Sequence, residues 1–309
     1  MNKIVNVFLA NPRGFCAGVE RAVEIVERAL KKYGPPVYVR HEIVHNPHVV
    51  KKLAAKGTIF VEEINEIPEE GITIFSAHGV SKKVKHDACK RNLNFIDATC
   101  PLVNKVHNEA VKYDKLGYKI FLIGHKGHPE VEGTAGQIKN QMEILESLED
   151  VLKLESSEDT KVAYITQTTL SVCDTKIIVN TLKEKFPNIV GPNSSDICYA
   201  TQNRQDAVRE LSKLVQLVLV MGGANSSNSA RLTEISSKYN IPSYRISDPY
   251  ELNPDWLKGK TNIGITAGAS TPEEQIKQLL EYLKNIVGDI NIREIKGLEE
   301  KVFFKLPKI

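Results

Sequence analysis

Short apolar runs alternate along this chain with stretches of helix length, and that alternation is what most narrows the fold. Strands are predicted at Ile4–Ala10, Val37–Arg40, Thr58–Val61, Ile72–Ser76, Asn94–Asp97, Tyr118–Ile123, Lys161–Thr166, Gln216–Met221, Ser243–Ile246 and Asn262–Thr266. Helical patterns fall between them at Val19–Tyr33, Ser81–Asn92, Leu102–Leu116, Leu170–Phe186, Tyr199–Val215 and Pro272–Ile286. Several strands are continuously apolar, which suits a sheet covered by helices on both faces. Repetition of this kind predicts an α/β protein built on parallel sheets.

Three cysteines follow the same grammar. Each stands between a strand or turn and a helix: Gly14-Phe15-Cys16-Ala17-Gly18, Ala98-Thr99-Cys100-Pro101-Leu102 and Asp196-Ile197-Cys198-Tyr199-Ala200. Their separations of 84 and 98 residues are each the size of a small α/β unit. Three units are therefore predicted, 17–100, 101–196, and 1–16 joined to 197–286, in a pseudo-threefold arrangement around a common centre. A charged, apolar-studded tail at 287–309 follows them. A thiol at a helix N-terminus is biased towards thiolate, the form that binds metal. Cys89 and Cys173 lie inside helical patterns and read as small helix residues. No CxxC pair occurs, so the usual zinc and ferredoxin spacings are absent. Two readings stay open: three unrelated buried cysteines, or three dispersed ligands of a cubane cluster with one iron left open to substrate.

In parallel α/β folds, ligands bind beyond the carboxyl ends of the strands. Here those ends carry Ser76-Ala77-His78-Gly79, Gly124-His125 through His128-Pro129-Glu130, Thr166-Gln167-Thr168-Thr169, Asn225-Ser226-Ser227-Asn228-Ser229 and Ala267-Gly268-Ala269-Ser270-Thr271. Hydroxyls, amides and imidazoles at helix starts make an anion cradle. Asn225–Ser229 also opens a helix, so an N-cap accounts for one of its residues but not for all. Neither GxxxxGK[ST] nor a GxGxxG after a strand is present, so the cradle fits a compact phosphate or diphosphate without a nucleoside. Glu130 shares its turn with His125 and His128. Beside them and an open iron it reads as a proton donor rather than a solvated carboxylate. His86 and His107 fall on helices among charged residues and read as exposed. His41 and His48 flank His45, and chemistry alone does not separate the three.

Composition closes off other classes. The net charge of +3 on 309 residues lacks the basic excess of a nucleic-acid binder. No apolar run approaches the ~20 residues that span a bilayer. Ile4–Ala10 is too short for a signal peptide and runs at once into Asn11-Pro12-Arg13, so a cytoplasmic protein is expected, without membrane or nucleic-acid partners. Five cysteines, an odd number, make free or metal-bound thiols the expectation in a reducing compartment.

The longer motifs carry a family resemblance. Asn11-Pro12-Arg13-Gly14-Phe15-Cys16-Ala17-Gly18-Val19, Phe75-Ser76-Ala77-His78-Gly79-Val80, Asp97-Ala98-Thr99-Cys100-Pro101-Leu102-Val103 and Gly127-His128-Pro129-Glu130-Val131-Glu132-Gly133-Thr134 are four of them. Thr166-Gln167-Thr168-Thr169-Leu170, Asp196-Ile197-Cys198-Tyr199-Ala200-Thr201 and Asn225-Ser226-Ser227-Asn228-Ser229 follow in order, as far as Ser270. Together they resemble the 4-hydroxy-3-methylbut-2-enyl diphosphate reductases (the LytB family), which act last in the non-mevalonate isoprenoid route. The resemblance implies a 4Fe–4S cluster on Cys16, Cys100 and Cys198. It implies that His45, His78, His128, Ser226, Ser227, Asn228 and Ser270 hold the diphosphate, with Thr168 also in reach of substrate. Glu130, helped by Thr168 and His128, would deliver protons. A ferredoxin or flavodoxin would supply two electrons, and a monomer or weak dimer is expected. The rival on the same three cysteines is a hydro-lyase that uses the open iron only as a Lewis acid.

Overall fold

The computed structural model describes residues 4–155 and 160–309. In chain order the first elements are β1 (Val5–Leu9), α1 (Ala17–Tyr33), β2 (Val37–Arg40), α2 (Pro47–Ala54), β3 (Thr58–Val61), β4 (Ile72–Phe75), α3 (Lys82–Lys90) and β5 (Asn94–Asp97). Next come α4 (Pro101–Lys115), β6 (Lys119–Ile123), α5 (Pro129–Ala135), β7 (Glu143–Leu145), α6 (Leu148–Lys153), β8 (Val162–Thr166) and α7 (Val172–Lys185). The last are α8 (Tyr199–Ser212), β9 (Leu217–Met221), α9 (Ser227–Lys238), β10 (Ser243–Ile246), β11 (Asn262–Ala267), α10 (Glu273–Val287) and β12 (Ile290–Glu294). The strands form three sheets ordered β10-β9-β11-β1-β12, β3-β2-β4-β5 and β7-β6-β8. Every pairing within them is parallel.

By compactness the chain divides into two units. One comprises Met1–Glu20, Val44–Lys52 and Tyr199–Phe303, and contains the five-stranded sheet. The period of two along its strands sorts their side chains onto two covered faces. Leu217, Leu219 and Met221 of β9 pack with Val5, Val7, Ile263 and Ile265 beneath Ile276, Leu279 and Leu283 of α10. Val218 and Val220 point the other way, into Val208 and Leu211 of α8 and Leu232 and Ile235 of α9. Double coverage is why β9 is apolar at every position. Residues 290–294, taken from the sequence as tail, add the parallel strand β12, with Val5 opposite Ile290 and Leu9 opposite Glu294. An edge strand needs apolar residues on one side only, and Ile290-Asn291-Ile292-Arg293 is too short an alternation to stand out from a charged tail.

The other unit comprises Arg21–Ile43, Leu53–Cys198 and Phe304–Ile309, and holds the two smaller sheets. In β6, Phe121 and Ile123 face Val151, Ile178 and Leu182 of α6 and α7. Ile120 and Leu122 face Val106 and Ala110 of α4 and Val131 of α5. Phe75 of β4 packs with Val80, Ala88 and Leu93 around α3. Helix α5 also ties the smaller sheets' loops together, since Gln137 Nε2 donates to the Val80 carbonyl at 2.8 Å and Lys82 N to the Gly136 carbonyl at 3.0 Å.

One histidine is placed differently from its sequence reading. His107 is buried, not exposed, at 6% accessibility on the inner face of α4. Gly79, at φ +82°, lies so close that a Cβ there would stand 2.7 Å from His107 Cε1. Burial pushes this imidazole down to about 4, so it is neutral at ordinary pH. The charged residues around it in sequence lie on the other faces of α4, and a helix one side buried shows no such distinction in composition.

Candidate functional site

The cysteines stand where the strand–turn–helix pattern put them. Cys100 is the N-cap of α4 with Pro101 at the first helical position, and Cys16 and Cys198 immediately precede α1 and α8. Their carbonyls or turns start the helices: Glu20 N donates to Cys16 O and Asn104 N to Cys100 O, both at 2.9 Å. None of the three is in a disulfide, and as residues all three are partly exposed, whereas Cys89 and Cys173 are exposed on their helices.

Within the unit that contains β6, contacts run unbroken from Cys100 to Cys198. Cys100 N donates to Ala77 O at 3.0 Å, which seats the cysteine beside the His78 turn. The His78 and His128 rings meet edge to face, 5.9 Å between centroids. His128 caps α5, its Nδ1 accepting from Glu130 N at 3.1 Å. While Nδ1 accepts this bond, a ring proton is carried on Nε2. Glu130 Oε1 accepts from Thr168 N at 2.6 Å and Oε2 from Thr168 Oγ1 at 3.0 Å. Thr168 O in turn accepts from Cys198 N at 3.1 Å. The turns after β4, β5, β6 and β8, with the residue before α8, thus bring two cysteines, two histidines, a carboxyl and a hydroxyl into one chain of contacts.

Glu130 is only 3% exposed. Burial pushes its carboxyl up to about 7, against the Thr168 hydrogen bonds, which favour the carboxylate, and with the Asp196 charge adding to the rise. A carboxyl balanced there can give up or take a proton near neutral pH. The Cys100 turn has holders that its motif did not reveal. Asp97 accepts from Thr99 N at 2.9 Å and from Thr99 Oγ1, and Arg21 Nη1 donates to Ala98 O and Thr99 O at 3.2 and 3.1 Å. The aspartate two residues before a threonine is an Asx-turn signal that sequence could have offered; Arg21, 79 residues from Cys100, left none.

In the unit that contains β9, a second set assembles. Ser226 caps α9 by accepting from Ser229 N at 3.3 Å, and Ser229 Oγ donates to Ser226 Oγ at 3.0 Å. Gly222 and Gly268 lie against Ser229 so closely that neither has room for a Cβ. Ser270 Oγ donates to His45 O at 3.0 Å, and Asn225 Nδ2 lies 3.2 Å from His45 Nδ1. Asn228 is 4% exposed, yet neither its Oδ1 nor its Nδ2 has a hydrogen-bond partner. An unmet buried amide costs about 1–3 kcal/mol, which a polar group bound beside it would recover. Cys16 belongs to the same unit, its N–H donating to Ala269 O at 3.2 Å beside Ser270. His45 is now separated from its neighbours in sequence: His41 pairs with Glu62 at 2.7 Å and His48 faces Glu274 at 3.9 Å. His86 is exposed on α3.

Among the described residues no group of three or more His, Cys, Asp or Glu side chains is placed to hold a single metal ion. A cubane cluster makes a different demand, because each thiolate binds its own iron. Three thiols at helix starts suit that demand as a donor set; at Cys16 burial pushes the thiol up on balance, while the Arg204 charge and the backbone N–H groups of Val19 and Gly18 work the other way.

A family model described as LytB protein matches residues 7–284. Among curated relatives, 4-hydroxy-3-methylbut-2-enyl diphosphate reductase 1 of Rhodopseudomonas palustris is 57% identical over 97% of this chain and 98% of its own. Reductase 2 of Bradyrhizobium diazoefficiens is 55% identical, over 98% of each. Among solved structures, the E-1-hydroxy-2-methyl-but-2-enyl-4-diphosphate reductase of Plasmodium falciparum superposes with a TM-score of 0.94 at 42% identity, covering 98% of this chain and 96% of that one. No helix among the described residues is long and apolar enough to cross a membrane.

Proposed function

The chain belongs to the LytB family, and from that premise we propose that it reduces 4-hydroxy-3-methylbut-2-enyl diphosphate to isopentenyl and dimethylallyl diphosphates. Two electrons and two protons are consumed: the C4–O bond breaks, one proton leaves in water with the oxygen, and the other ends on carbon. The observation that carries this reading is Glu130, a buried carboxyl balanced near pH 7 and fixed by two bonds to Thr168.

Cys16, Cys100 and Cys198 would hold a 4Fe–4S cluster, leaving one iron without a protein ligand. When bound, the cluster supplies the electrons and a Lewis acid for the hydroxyl. Protons come from the chain itself. Glu130 hands its proton through the Thr168 hydroxyl, and the His128 Nε2–H serves either proton transfer or a diphosphate oxygen. His45, His78, Ser226, Ser227, Asn228 and Ser270 would take the rest of the diphosphate. Asn228 pays nothing to do so, since its amide meets no other partner. Binding a group remote from C4 supplies energy that orients the reacting carbon. The reading also includes a cytoplasmic location and an electron donor such as a ferredoxin or flavodoxin.

Anaerobic incubation of the reconstituted protein with the diphosphate substrate and a chemical reductant tests the reaction. Both five-carbon diphosphates are expected. A fully loaded protein that turns over nothing would leave the hydro-lyase reading in its place.

A further inference from the structure

Among the described residues Arg204 is the largest side chain wholly shielded from solvent. A buried guanidinium is tolerated only when its donors and its charge are met. Here the donors go to one place. Nε and Nη2 donate to Gly14 O at 3.0 and 2.7 Å, and Nη2 also to Phe15 O at 3.1 Å. Nη1 donates to Ala200 O at 3.0 Å on its own helix. The charge is met by Glu300, whose oxygens accept from Nη1 at 3.0 and 3.3 Å and from Nη2 at 3.3 Å, and Asn203 Nδ2 donates to the same carboxylate at 2.9 Å.

Glu300 comes from the segment after β12, beyond every motif in the chain. That segment follows residues 9–16 closely: Ile295 N donates to Leu9 O at 3.0 Å, and Gly297 crosses Asn11 where a Cβ would strike the Asn11 carbonyl. On its other side the turn is pinned by Gly14 N to Ala267 O and Cys16 N to Ala269 O, both at 3.2 Å. Gly14 sits at φ +68°, a conformation that imposes little order of its own. What the ion pair grips is thus the two residues ahead of Cys16.

We propose that Arg204 and Glu300 form a clamp that positions Cys16 as a cluster ligand, and that the C-terminal segment is through Glu300 a working part of the enzyme. This rests on the reading of Cys16 as an iron ligand. The clamp fixes the turn by geometry and sets the charge beside the sulfur: Arg204 favours an added electron on a nearby cluster, and Glu300 opposes it.

Reconstituted wild-type, Arg204→Gln, Arg204→Lys and Glu300→Gln proteins would be compared by hydrogen exchange of residues 10–18, by the rate of iron loss to a chelator and by cluster midpoint potential. Exchange at Gly14–Cys16 should quicken roughly tenfold in Arg204→Gln and Glu300→Gln, and iron should leave several-fold faster. The potential should move negative in Arg204→Gln and positive in Glu300→Gln, opposite shifts that a merely structural role would not produce. Arg204→Lys keeps the charge but loses the fork, so it should restore the potential and not the exchange protection. Unaltered exchange in both variants, or potentials displaced in the same direction, would overturn the clamp. Should Arg204→Gln fail to accumulate, Glu300→Gln decides alone, by its exchange and by the sign of its shift. A wild-type protein that loads no iron would instead overturn the cluster reading, and this role with it.

Discussion

The Thr168 hydroxyl is the most direct handle on Glu130. It donates to Oε2 at 3.0 Å and favours the charged carboxylate, while burial favours the neutral acid and prevails, leaving the group at about 7. Thr168→Val removes the hydroxyl with little change in shape and leaves the Thr168 N–H bond to Oε1 in place. A hydrogen bond to a charged group is worth about 1.5–3 kcal/mol, and about 1.4 kcal/mol is one pKa unit. The Glu130 midpoint should therefore rise by about one to two units, to roughly 8–9. At pH 7 the wild-type carboxyl is about half protonated, and the variant's should be about nine-tenths protonated or more. The carbonyl infrared band of the protonated carboxyl, titrated in the free protein and assigned by its loss in Glu130→Gln, reads this directly. A midpoint that stays near 7 or falls would refute the balance of burial against hydrogen bonding drawn above. The same balance has a stability consequence with a definite sign. Because folding raises this pKa from 4.5 to about 7, its contribution is full below pH 4.5 and is lost as pH rises through 7. Glu130→Gln, fixed in the neutral form, should gain on wild type across that window by up to about 3 kcal/mol.

Three more outcomes discriminate among the assigned roles. Serine at Cys16, Cys100 or Cys198 should abolish the brown absorbance of anaerobically reconstituted protein, whereas serine at the exposed Cys89 or Cys173 should not; a Cys100→Ser protein with full colour would remove that ligand. Asn228→Ala should weaken binding of inorganic diphosphate roughly tenfold or more by calorimetry, the value of one hydrogen bond to a charged group. It should also leave the melting temperature of the free protein unchanged or higher, because the amide it deletes is buried and unmet; a large fall in melting temperature would contradict the unpaired state. Acid should destabilise the protein partly through His107, whose pKa falls on folding from 6.5 to about 4. That contribution is present above pH 6.5 and lost as pH drops towards 4, so His107→Gln should flatten the stability profile there, and an unchanged profile would assign acid sensitivity elsewhere.

What the sequence revealed and what it hid follow from two kinds of signal. Central parallel strands declare themselves because both faces are covered: Leu217–Met221 is apolar throughout, and the predicted ends of Val37–Arg40, Thr58–Val61, Asn94–Asp97 and Ser243–Ile246 coincide with those observed. The helix-start cysteines were legible for a similar reason, since Gly or Pro flanks the Cys16 and Cys100 turns and the periodicity changes just after all three. The elements that escaped are those whose pattern is short or one-sided: β7, with three residues, and β12, whose outer face is solvent.

Buried polar groups escape on different grounds. Arg204 and His107 are indistinguishable in local composition from solvated residues, and Glu130 stands out only by its turn, because what keeps each buried is a partner distant in sequence or a wall built by another element. Glu130 depends on Thr168, 38 residues on, and Arg204 on the Gly14 carbonyl, 190 residues back. A period of 3.6 reports which face of a helix is apolar but not which polar residue on that face has found a partner. Motif matching located Glu130 and passed over Arg204, although the second is the more deeply buried. The difference is one of placement: Glu130 lies just past a strand end, inside a run of Gly, His and Pro of the kind that marks a ligand loop. Arg204 lies a turn inside α8, where only its reach back to the Cys16 turn, and the C-terminal carboxylate that completes it, gives it a role. Residues that position a ligand's neighbours therefore belong to the fold rather than to the motif, and are found by asking what each buried charge holds in place.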